Sequence, residues 1–112
     1  ARDTMKATML EAFNALKPGG YFGVVEHRAP EGSSMEYMTT SGYVSQSLAI
    51  EVAESVGFSL VEASEINANS KDTKDHPKGV WTLPPSYRLK DENRSKYESI
   101  GESDRMTLLF MK

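Results

Sequence analysis

The 112-residue chain contains no cysteine. Disulfides and thiolate metal sites are therefore excluded, a pattern that suits a cytoplasmic protein. No apolar run approaches the roughly 20 residues needed to span a bilayer, and the first residues lack a signal-peptide pattern, so no membrane is expected as a partner. Positive charge is also scarce: 13 Lys and Arg stand against 16 Asp and Glu, giving a net charge of -3 with no block of either sign. A surface that tracks nucleic-acid phosphates needs the opposite balance, so no nucleic acid is expected either. There is no G-x-G-x-x-G, and hence no glycine-rich cradle for a dinucleotide. Repeats and low-complexity tracts are absent, and the length suits a single domain over residues 1–112.

Several local signals are present. Met5, Met9, Ala12, Phe13 and Leu16 recur at helical spacing behind Asp3, a candidate N-cap, and predict a helix over roughly residues 4–16. Pro18 forbids its continuation, and Gly19-Gly20 permit the turn into a strand at Tyr21–His27. That strand is nearly continuously apolar, which predicts a central position covered on both faces. Residues 28–40 read as a loop. A second helix follows, capped by Ser41 or Ser45, with Val44, Leu48, Val52 and Val56 four apart and Gly57 just past its end. Phe58–Ile66 then reads as a strand. Residues 67–104 form a long polar excursion, with a short helix near Glu92–Ser99, pinned to the core by Trp81. Met106–Met111 reads as a final strand. The fold class is α/β, with three strands and two main helices.

The order helix, "LKPGG", strand, helix, "GF" strand, long excursion and apolar last strand resembles the C-terminal half of a class I S-adenosylmethionine-dependent methyltransferase. The segments "SGYVSQ", "EINANSKDTKDHPKGVWTLPPS" and "GESDRMTLLFMK" are similar to those of a group of uncharacterised bacterial predicted methyltransferases. The resemblance implies a partial Rossmann-like sheet in which Tyr21–His27, Phe58–Ile66 and Arg105–Met111 are the fifth, sixth and seventh strands. The last would run antiparallel, inserted between the other two. It further implies that the strands carrying the cofactor cradle lie outside this sequence. S-adenosylmethionine is then the cofactor of the complete fold, and none is expected on this chain alone. Such a half-sheet would leave one face and the outer edge of Tyr21–His27 open, and self-association into a homodimer or higher oligomer is expected.

Ligands of open α/β sheets gather beyond the carboxyl ends of the strands, which directs attention to Glu26, His27 and Arg28. His27 is the candidate general base for methyl transfer to oxygen or nitrogen, because imidazole titrates near neutrality. Glu26, Arg28, Tyr43 and Trp81 are candidate walls of a substrate pocket. Asp72, Asp75 and His76 carry metal-ligand chemistry but no ligand spacing, and they read as a solvated loop. Asn67 and Asn69 read as turn residues, and Asp104 with Arg105 as a surface ion pair. The competing reading is a small non-enzymatic α/β module that acts by binding a partner or a second copy of itself.

Overall fold

The computed structural model describes residues 2–112. Helix α1 (Arg2–Ala15) buries Met9 and packs Met5, Ala12, Phe13 and Leu16 on the core. Asp3 lies within its first turn, where a carboxylate still complements the helix dipole. Gly19, at φ +84°, turns the chain into β1 (Tyr21–Ala29), which extends two residues beyond the expected end. The segment expected as a loop contains α2 (Met35–Ser41). Ser34 caps it by accepting the Tyr37 N–H at 3.1 Å, and Gly42 closes it in the left-handed region. Seven residues are too few for a helical period to stand out in sequence.

Strand β2 (Val44–Ser45) follows, and Ser45 caps α3 (Gln46–Val56). Gly57 ends α3 at φ 118°, and Phe58 folds back so that its N–H donates to Ala53 O at 3.1 Å. Strand β3 (Ser59–Ser64), helix α4 (Arg94–Ile100) and strand β4 (Arg105–Met111) complete the chain.

The four strands form a mixed sheet in the order β2-β1-β4-β3, with β4 antiparallel to both neighbours. Among the described residues there are four strands and four helices, where three strands, two main helices and a short one near Glu92–Ser99 were expected; α4 is that short helix. The extra strand, β2, pairs only Arg28↔Val44 and Ala29↔Ser45 and is too short to show alternation. Helices α1 and α3 pack together over one sheet face, covering Phe22 and Val24 of β1 with Met106, Leu108 and Phe110 of β4. Phe58 joins this core through Phe13, edge to face at 5.1 Å, and Phe22, stacked at 5.2 Å.

The other face is different. Tyr21 is 60% exposed and Val25 54%, with Met111 opposite Tyr21 in the ladder. β1 is therefore covered on one face, not two. Among the described residues, Tyr21–His27 also has no partner strand on the side away from β4.

The excursion between β3 and β4 is ordered by residues flanking Trp81 rather than by Trp81 itself. Val80, Thr82, Leu83 and Tyr97 are buried, whereas Trp81 remains 40% exposed. A single 3-10 turn, Gly79–Thr82, presses against the end of α2. Gly79 adopts φ +61°, and a Cβ there would overlap the Ser41 backbone, which cannot yield as a side-chain tip can. Gly79→Ala is expected to lower stability by about 2 kcal/mol or more, read as a fall in the urea midpoint. An unchanged midpoint would show that this approach is not tight in solution.

Candidate functional site

Strand alternation sends Glu26 and His27 to opposite faces of β1. Glu26 borders a groove on the helix side with Met5, Met9, Phe22, Val24 and Met38, while its Oε1 accepts the His27 N–H at 3.0 Å. His27 faces a cleft of about 200 Å³ formed with Trp81, Pro84, Pro85, Ser86 and Ser103. Its Nδ1 lies 2.6 Å from Ser103 Oγ, and its ring meets Tyr43 edge-on at 6.4 Å. The structure therefore brings His27 and Trp81 together and leaves Glu26 apart.

Tyr43 and Arg28 are turned to other uses. Tyr43 is fully buried and its hydroxyl donates to Asp72 at 2.8 Å, so it supports the cleft from within and offers no open wall. Burial, reinforced by that hydrogen bond, pushes the Tyr43 hydroxyl well above the usual phenol range. Arg28 grips Asp104 through two nitrogens, each at 3.0 Å, and reaches Gln46 and Glu65 at 2.8 Å. Its hydrogen bonds to Asp104 and then Glu65 raise an already high guanidinium pKa. Arg28 also borders a shallow cleft with Glu31, Gln46, Ser47 and Lys74.

Two carboxylates that read as surface groups organise this end of the sheet. Asp72 Oδ1 accepts from the Lys74 N–H at 3.0 Å and lies 2.8 Å from His76 Nε2, and Oδ2 accepts from Tyr43 and from the Asp104 N–H at 3.0 Å. Far from forming a solvated loop, Asp72 and His76 have side chains 0% and 3% exposed. Asp104 pairs with Arg28 and with Lys74 Nζ at 2.9 Å and accepts the Asn69 N–H, while Arg105 reaches Glu102 at 3.7 Å. The expected Asp104–Arg105 pair does not form: Arg28 and Lys74 occupy the Asp104 carboxylate, and Arg105 turns to Glu102. Asn67 and Asn69 do more than turn the chain. Asn67 bonds Thr107 Oγ1, and Asn69 Nδ2 bonds the Ile100 and Glu102 carbonyls, tying both ends of the excursion together.

Burial alone would raise the Asp104 carboxyl, but hydrogen bonds from Arg28, Lys74 and the Asn69 backbone outweigh it and hold the group well below the usual range. No group of three potential ligands that could hold a metal ion occurs among the described residues, and no helix there is long and apolar enough to cross a membrane. The arrangement offers one imidazole in an aromatic cleft, held by a polar scaffold. No protein-family model, curated protein or solved structure matches the chain.

The sign of the pH effect follows from the depressed Asp104. Its contribution is present above the unfolded carboxyl's pKa, about 3.9, and is lost as pH falls below that value towards the folded one. Asp104→Ala strands Lys74 and part of Arg28, and is expected to cost about 3 kcal/mol at pH 7. Denaturant unfolding from pH 7 to pH 2 should show that gap narrowing below about pH 4. A gap constant with pH would mean that the carboxylate charge is not what matters.

Proposed function

We propose that the chain is the acceptor-side part of an S-adenosylmethionine-dependent methyltransferase, a partial Rossmann-like fold that is inactive by itself. The observation that carries this reading is the sheet order: β4 runs antiparallel between β1 and β3, with α1 and α3 packed together over one face. That is the order the sequence resemblance implies for the last three strands of the family's sheet.

The glycines ahead of β1 form a turn and do not fit a cofactor cradle. The only glycine pair ahead of β1 has its N–H groups engaged, Gly19 with Lys112 O at 3.0 Å and Gly20 with Lys17 O at 2.9 Å. That pair therefore offers no free donors to a nucleoside or its carboxylate. In this reading the chain contributes the acceptor side. His27 would take the proton from an acceptor hydroxyl or amine at Nε2, which requires that Nδ1 carry its hydrogen and donate to Ser103. Trp81, Pro84 and Pro85 would exclude water from that proton.

Titration calorimetry tests the reading. S-adenosylhomocysteine is expected not to bind the chain alone, and to bind once a separately expressed N-terminal methyltransferase half is added. Tight 1:1 binding to the chain alone would overturn it, as would indifference to the added half.

A second reading, a non-enzymatic module that self-associates, is favoured by the uncovered Tyr21–Val25–Met111 face and by the Tyr21–His27 part of β1, which has no partner strand on the side away from β4 among the described residues. It predicts a concentration-dependent dimer or larger species in sedimentation, abolished by Val25→Lys. A monomer at all concentrations sinks it.

A further inference from the structure

We propose that the cleft between α2 and the 3-10 turn binds a small planar ligand bearing one anionic group, a carboxylate or a phosphate monoester. This cleft, about 570 Å³, adjoins the His27 cleft, the two sharing Trp81 as a wall. Its other lining residues include Tyr37, Thr40, His76, Lys78 and Arg88.

The cations supply the first argument. Lys74 also lines the cleft but is committed to Asp104 at 2.9 Å. Lys78 and Arg88, by contrast, make no ion pair with any carboxylate among the described residues. Asp75 is the one acidic side chain lining the cleft, and it is exposed, with Oδ1 accepting from Thr73 at 2.6 Å. Two uncommitted cations against one solvated carboxylate make the cleft locally positive on a chain of net charge -3. An Arg fork beside a Lys point charge suits one carboxylate or phosphate group.

The aromatic wall supplies the second. Trp81 stays 40% exposed although its neighbours Val80, Thr82 and Leu83 are buried. Its indole lies against Gly42, where a Cβ would approach the ring carbons to 2.9 Å, so the position of the ring depends on the absence of a side chain there. A large, fixed, half-open indole is a stacking surface for a flat ligand. His76 gives the cleft a rigid boundary. Its side chain is 3% exposed, its ring packs edge-on to Tyr97 at 5.9 Å, and Nε2 lies 2.8 Å from Asp72 Oδ1.

The binding claim does not rest on methyl transfer.

Trp81 is the sole tryptophan, so its emission reports on the cleft directly. The intact chain is titrated with benzoate, phenyl phosphate, neutral benzyl alcohol and inorganic phosphate, without any methyl donor. Benzoate or phenyl phosphate should give a saturable change at least 10-fold tighter than benzyl alcohol, and the tighter of the two identifies the anion. Arg88→Gln and Lys78→Gln, both at exposed positions, should each weaken the anionic arms about 5-fold and leave benzyl alcohol unchanged. Equal binding of benzyl alcohol, or no effect of either substitution, overturns the anion site. Inorganic phosphate binding as tightly as phenyl phosphate overturns the planar ligand. Because no cofactor is involved, these outcomes are separable from the calorimetric test of the methyltransferase reading.

Discussion

The structure depends on two buried carboxylates that hold the excursion between β3 and β4 against the end of the sheet. Taking a carboxylate out of water is costly unless its lone pairs are satisfied. Asp72 and Asp104 each meet four donor groups, about the full capacity of the group. The donors come from β1, from α2's exit and from the excursion itself, so no single segment can leave without stranding a charge. The two carboxylates also share a link, since the Asp104 N–H donates to Asp72. Arg28 and Lys74 both bind Asp104 directly and offset its charge.

This scaffold explains why both clefts can exist on so small a body. A polar excursion of this length has little apolar surface with which to pack, yet Thr82 and Leu83 are fully buried and His76 nearly so. With the carboxylates, Leu83 and Tyr97 anchoring the excursion, Trp81 packs one part of its ring against Gly42 and leaves the rest exposed. It is left half-open as a wall shared by the His27 cleft and the Lys78–Arg88 cleft. Rigidity beneath and exposure above are what a binding surface needs.

The parts legible in the sequence are those set by local chemistry. Ser45 and Gly57 delimit α3, Pro18 with Gly19 ends α1, and the apolar run into Met111 forms β4, each from residues within a few positions of the feature. The buried network was not legible, because its partners are remote: Tyr43 lies 29 residues from Asp72, and Asp104 lies 32. A lone Asp-x-x-x-His in a polar stretch looks like loop, and only contacts made across the fold convert it to core. Trp81 illustrates the reverse error. Size and hydrophobicity marked it as the anchor, whereas the smaller Leu83 and Thr82 beside it took that role. Helix α2 and strand β2 were missed because both are too short to carry a period.

The uncovered sheet face and the His27 cleft are parts of one surface. Tyr21, Gly23, Val25 and His27 alternate onto the same side of β1, opposite the helices, and only at the His27 end does the excursion fold over them. Any body that covers Tyr21 and Val25, whether the front half of an enzyme or a second copy, must run up to the border of that cleft. Its arrival would narrow the opening beside His27 and raise the strength of every charge interaction there by displacing water. The open face and the candidate site cannot then be treated as independent features. A body covering one would change the solvent exposure of the other.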